Sequence, residues 1–74
     1  MNKLIKVSQK SRFNGFLLKT TRETQQIKQD YLAYKLGISP SNLSRIENGH
    51  LEPTFSIVVK CSELLTIKVF DLVL

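Results

Sequence analysis

The 74-residue chain has no tryptophan, one cysteine, one histidine, two prolines and three glycines, and apart from Tyr31-Leu32-Ala33-Tyr34 its longest unbroken apolar runs are three residues, as at Ile57-Val58-Val59. Each scarcity excludes something. A lone cysteine, Cys61, closes no internal disulfide, and with only His50 beside it the chain lacks the ligands of a structural zinc site. No metal and no cofactor is therefore expected. Apolar runs this short neither cross a bilayer nor form a secretory segment, so a cytoplasmic protein with no membrane partner is expected. What is present is ordinary for a soluble globular chain: 42% hydrophobic and 23% charged residues, too apolar for a disordered one. The length allows one domain with a small core, so packing needs help, for which oligomerisation is the natural source.

The charge is uneven. Net charge is +5, but residues 1–35 carry eight Lys/Arg against Glu23 and Asp30, whereas residues 36–74 carry three against four acids. A positive first half suits an anionic partner, although basicity alone separates nucleic acid poorly from an acidic protein or a membrane surface. Residues 1–11 hold three lysines among Leu4, Ile5 and Val7 and no acid. They read as a basic N-terminal arm, with a loose solvated terminus as the alternative. Residues 12–74 read as the folded domain.

Apolar periodicity predicts five helices. The first spans Arg12 to Thr24, with Phe13, Phe16, Leu17 and Leu18 at helical spacing and only Gly15 weakening it. The second spans 28–36, its inner face set by Leu32, Ala33 and Leu36, and Gly37 ends it in a left-handed conformation. Ser39 caps a third helix that opens on Pro40 and runs to about Asn48, before Gly49. Pro53-Thr54 opens a fourth, with Phe55, Val58, Cys61 or Ser62, and Leu65 on one side. The last eleven residues, eight of them apolar, exceed what one short helix face buries. A dimer interface of Val69, Phe70, Leu72, Val73 and Leu74 is the preferred reading. A final helix folded onto the core and a short intermolecular strand are the alternatives.

Residues 29–49, QDYLAYKLGISPSNLSRIENG, carry the functional information, because two short helices joined by a brief turn with glycine at its start form a helix-turn-helix layout. The small Ala33 lets the two helices cross closely while Leu43 and Ile46 fill the space between them. On a helical wheel of the third helix, Ile46 and Glu47 fall beside Leu43, and Ser41, Ser44, Arg45 and Asn48 fall opposite, with Asn42 on the flank. That outward face holds uncharged polar groups and one arginine. Arginine pairs with guanine, asparagine with adenine, and serine is permissive, so the face suits base edges better than a merely solvated helix would. Glu47, on the inner side, needs a cation, and Arg22 near the end of the first helix is the candidate.

These residues together resemble the XRE/Cro-type helix-turn-helix regulators. The resemblance rests on Arg22, Gln29-Asp30-Tyr31-Leu32-Ala33, Lys35-Leu36-Gly37-Ile38-Ser39, Leu43 to Gly49, Pro53 and Phe70-Asp71-Leu72, and covers roughly Leu18 to Leu74. It implies an all-α, five-helix lambda-repressor-like domain with the helix-turn-helix at helices 2 and 3. It implies base reading by Ser41 and Arg45, with Pro40, Asn42 and Ser44 beside them. Gln29 and Asn48 would bind phosphates, the former at a helix start where backbone N–H groups favour an anion. Lys28, Lys35 and His50 complete the expected phosphate contacts, and the Arg22 and Glu47 pair is also a family feature. Three departures stand out. Pro40 replaces a frequent base-reading glutamine, Gln25-Gln26 a frequent glycine before the second helix, and Thr66 the usual glycine after the fourth.

The sequence thus predicts a regulator that binds double-stranded DNA as a homodimer on a pseudo-palindromic site. Its control would come from concentration, dimerisation or a partner protein of unknown identity. An antitoxin or other interaction module that binds a partner through the apolar C-terminal segment is the alternative. An enzyme is not expected, since His50 has no nucleophile or carboxylate pattern around it and Cys61 reads as a small core residue.

Overall fold

The computed structural model describes residues 12–74; the arm expected over residues 1–11 lies outside them. Among the described residues, four α-helices and a short 3-10 turn follow one another: α1 (Gly15–Thr24), α2 (Gln29–Leu36), α3 (Pro40–Glu47), α4 (Phe55–Leu65) and the turn Val69–Leu72.

Local chemistry explains the boundaries. Asn14 Oδ1 accepts the Leu17 N–H at 3.0 Å and starts α1, three residues later than apolar spacing predicted. The reason is tertiary. Residues 12–14 are extended against the C-terminus, with Asn14 N–H to Leu72 O and Leu74 N–H to Arg12 O both at 2.6 Å, around a single antiparallel bridge between Phe13 and Val73. Phe13 is thus buried from an extended segment, while Phe16, expected on the inner face of α1, is 74% exposed.

Gly37, at φ 75°, ends α2. Its N–H reaches Tyr34 O, and that of Ile38 reaches Ala33 O, a double closure that satisfies the last carbonyls. Ser39 Oγ accepts the Asn42 N–H at 3.1 Å to start α3, with Pro40 in the first turn, where a missing N–H costs nothing. Thr54 caps α4 in the same way through Ile57. On α4 Val58, Cys61 and Leu65 point inward as expected, but Phe55 is 73% exposed. The turns without glycine still use left-handed backbone, at Gln26 (φ 59°) and Thr66 (φ 57°). Gln25 bridges them, its side-chain Nε2 donating to Leu65 O at 2.9 Å.

The core gathers Leu18, Leu32, Ala33, Leu36, Leu43, Ile46, Cys61 and Leu65 from all four helices. Leu72, fully buried, joins them from the 3-10 turn. The fifth helix expected at the C-terminus is therefore only this four-residue turn. The strand propensity of the tail is spent within one chain, against residues 12–14. Among the described residues no helix is long and apolar enough to cross a membrane, and no group of metal-ligating side chains clusters.

Candidate nucleic-acid interface

The site begins with a buried acid. Glu47, at the end of α3, is 4% exposed, and a carboxylate there is tolerable only when charge and lone pairs are matched. Arg22 of α1 meets it with two hydrogen bonds, Nε to Oε2 at 2.7 Å and Nη2 to Oε1 at 3.1 Å. The same guanidinium donates through Nη1 to Ile27 O at 2.8 Å, and Gln29 Nε2 donates to Glu47 Oε1 at 3.0 Å. The hydrogen bonds that Arg22 donates to Glu47 hold the Arg22 pKa above its ordinary value, against the opposing pull of desolvation. One buried network therefore fixes α1, the start of α2 and the end of α3. The inner face of α3 is closed by Leu43, Ile46 and this neutralised acid.

What remains outward on α3 is Pro40, Ser41, Asn42 and Arg45, all exposed, with Ser44 half-buried. Ser41 Oγ lies 3.3 Å from Ser39 Oγ, and Asn48 Nδ2 donates to Ser44 Oγ at 3.4 Å, long contacts between exposed groups that leave them available to a partner. With Glu47 turned inward, this face carries no acid and one cation. Its donors and acceptors stand clear of the core on a helix pinned at both ends.

The residues expected at phosphates stand around it. Lys28 is the exposed residue preceding α2, and Gln29 is half-buried in its first turn. One N–H of the Gln29 amide is committed to Glu47, so this residue belongs to the buried network as well as to the surface. Lys35 is exposed and lies over the Tyr31 ring, 5.9 Å from its centroid. Asn48 and His50 are exposed in the turn that follows α3, where Gly49 adopts φ 81°. The residues expected at a dimer interface divide. Phe70, Val73 and Leu74 are exposed, Val69 is half-buried against the core, and Leu72 is 0% exposed and so belongs to the protein's own core rather than to a partner.

Sequence reasoning missed the brace behind the α3–α4 turn. Arg12 Nη2 donates to Gly49 O at 3.4 Å and its Nε lies 3.8 Å from Glu52, while Glu52 Oε1 accepts the Phe13 N–H at 3.0 Å. These partners are 37 to 40 residues apart in sequence, beyond any local periodicity.

A helix-turn-helix family model matches residues 18–72, which span all four helices but the first turn of α1, together with the C-terminal turn. The chain belongs to the XRE-type helix-turn-helix family of DNA-binding transcription regulators. Two solved structures are similar. The clp gene regulator ClgR from Corynebacterium glutamicum superposes with a TM-score of 0.73 at 26% identity, over 78% of this chain and 62% of that one. The chain thus spans less than two thirds of ClgR. The restriction-modification controller protein C.AhdI from Aeromonas hydrophila superposes with a TM-score of 0.69 at 24% identity, over 78% of this chain and 84% of that one. Comparison with curated proteins finds no match.

Proposed function

We propose that this protein is a sequence-specific regulator that places α3 in the major groove of a pseudo-palindromic operator as a homodimer. Ser41 and Arg45 read base edges, with Pro40, Asn42 and Ser44 beside them, and Lys28, Gln29, Lys35, Asn48 and His50 hold phosphates. The observation that carries this reading is the composition of the outward face of α3. It is short, polar and free of acid, because Glu47 falls on the inner side of the helix, where Arg22 pairs with it. An acid facing outward there would repel the phosphates on either side of the groove. Arg45 is the one side chain on this face able to donate two parallel bonds to a guanine. The homodimer is supported by the exposed apolar side chains of the C-terminal tail, Phe70, Val73 and Leu74.

The test is selection of bound sites from a random duplex library at physiological salt, with wild type and Arg45→Ala side by side. A two-fold symmetric site should emerge for the wild type. Arg45→Ala should bind it about 1 to 3 kcal/mol more weakly and lose preference at one base pair. Gln29→Ala or Asn48→Ala should weaken specific and random DNA alike. Equal loss of both by Arg45→Ala would reject the base-reading role. No enrichment by a folded wild type would reject operator binding.

A further inference from the structure

The three arginines of the chain stand in three different situations. Arg22 is buried, with Nε, Nη1 and Nη2 all bonded inside the fold, and Arg45 lies exposed on the outward face of α3. Arg12 has no such assignment. Its side chain is 60% exposed, one N–H makes a long bond of 3.4 Å to Gly49 O, and its Nε stands 3.8 Å from Glu52 Oε2, beyond hydrogen-bond distance. A guanidinium has five N–H donors, so four of them are without a partner among the described residues.

The place of these donors indicates their ligand. Gly49 lies between Asn48 and His50, the two residues expected to hold phosphate beyond the end of α3. Arg12 and Asn48 line one open hollow of about 250 Å³, and Arg12 is the one cation among its lining residues. This flank of the reading helix is otherwise ill suited to an anion. Asn48 is uncharged and sits at the carbonyl end of α3, where the helix dipole disfavours negative charge. Between Arg45 and Lys60 the sequence has no lysine or arginine but holds Glu47 and Glu52. Glu47 is matched by Arg22 in the buried pair, which leaves Glu52 to be offset from elsewhere in the chain. The other flank, at α2, has Lys28 and Lys35.

We propose that Arg12 is a further DNA-phosphate contact, which together with Asn48 holds one phosphate at the hollow beside the α3–α4 turn. The proposal rests on the DNA-binding reading and adds to it a residue from outside the helix-turn-helix. The bond to Gly49 O keeps the guanidinium beside the turn, and its remaining donors suit two oxygens of one phosphate, a geometry that arginine provides and lysine does not. Glu52 acts in the opposite sense. Its Oε1 accepts the Phe13 N–H at 3.0 Å, which keeps a carboxylate next to the cation. An exposed pair of this kind holds Arg12 only weakly, so a phosphate competes for the guanidinium, but the negative charge of Glu52 subtracts from the affinity. Both effects apply to DNA of any sequence, because phosphates carry no base information.

The experiment is fluorescence anisotropy with the full chain on a labelled random-sequence duplex and on the site selected by the wild type, from about 50 to 200 mM salt. The proteins are wild type, Arg12→Gln, Arg12→Lys and Glu52→Gln. Arg12→Gln should weaken binding to both duplexes by the same factor. Its plot of log K against log salt should be shallower by about 0.9 for each protomer bound, so that the wild-type advantage shrinks about 3.5-fold per protomer across that range. Arg12→Lys should keep the wild-type slope, since the charge remains. Glu52→Gln should bind both duplexes more tightly, with its amide oxygen still able to accept the Phe13 N–H. A contact that merely shapes the turn gives a different pattern: Arg12→Gln and Glu52→Gln would both weaken binding with the slope unmoved, and that result overturns the proposal. So does a wild-type slope for Arg12→Gln, whatever Glu52→Gln does. Partial unfolding of a variant lowers binding at every salt concentration without changing the slope, so it does not mimic the expected result. A wild type that binds neither duplex overturns the DNA-binding reading itself, whereas normal wild-type binding with an unchanged Arg12→Gln slope overturns only the role of Arg12.

Discussion

At the scale of the residue, the decisive contact is between Arg22 and Glu47. Neither partner is at ease alone in a region this dry, and each hydrogen bond between them replaces one that water would have made. Removing the cation should therefore cost more than the pair itself is worth. Arg22→Met is expected to lose about 3 to 5 kcal/mol in urea denaturation, because a buried carboxylate is left without its charge partner. Arg22→Met/Glu47→Leu should recover most of that loss, which a double-mutant cycle will show as strong coupling. An additive cycle would mean that the two groups act independently. The need for a cation was legible in the sequence, since an acid on the inner side of the α3 wheel demands one. The role of Gln29 as a third member was not, because a helix-start glutamine shows no sign of whether its amide turns outward or inward.

At the scale of the element, α1 and α3 meet at a point that spacing alone does not reveal. In the sequence Gly15 only weakens a helix. In the structure a Cβ there would stand 2.3 Å from Ile46 O and 2.7 Å from Glu47 O, backbone atoms that cannot swing aside. Gly15→Ala should accordingly destabilise the fold by roughly 1 to 3 kcal/mol, the usual penalty of overpacking. It should also weaken operator binding, because relief requires α3 to move. A wild-type melting temperature would show that α1 and α3 approach less closely. The caps of α2, α3 and α4 were legible because Gly37, Ser39-Pro40 and Thr54 act on their own neighbours within one turn. The start of α1 was not. Phe13 and Phe16 carry helical spacing, yet pairing of residues 12–14 with the tail withdraws Phe13 into an extended segment and leaves Phe16 outside.

At the scale of the whole molecule, a core this small makes each buried group count. Cys61 is fully buried where α4 meets the core, and burial, with the charge of Glu47 adding to it, pushes its thiol up to about 12 from an ordinary 9.0. The folded value lies above the unfolded one, so the stability owed to the neutral thiol is complete below about pH 9 and is lost as pH rises toward 12. Within that window the loss should approach about 1.4 kcal/mol per pH unit. Denaturation at successive alkaline pH values should show a shallower decline for Cys61→Ala than for wild type. Equal slopes would place the thiolate in contact with water.

What the sequence determined by itself is what short-range chemistry determines. The order and caps of α2, α3 and α4, the closure of the helix-turn-helix around Ala33, Leu43 and Ile46, and the acid-free outer face of α3 all follow from residues within one or two turns of each other. The family was a resemblance carried by Arg22 and the residues from Gln29 to Gly49, and the match over residues 18–72 shows it. Tertiary structure decided where chain ends and loops come to rest. Leu72 could serve a partner or the core equally well by its apolarity, and burial against α1 and α4 settled it as core. The exposure of Phe16 and Phe55, the bridge of Phe13 with Val73, and the brace of Arg12 and Glu52 likewise depend on partners some 40 to 60 residues away along the chain. Periodicity tells a side chain which face of its helix it occupies. Only the packed molecule determines whether that face meets the core or the solvent.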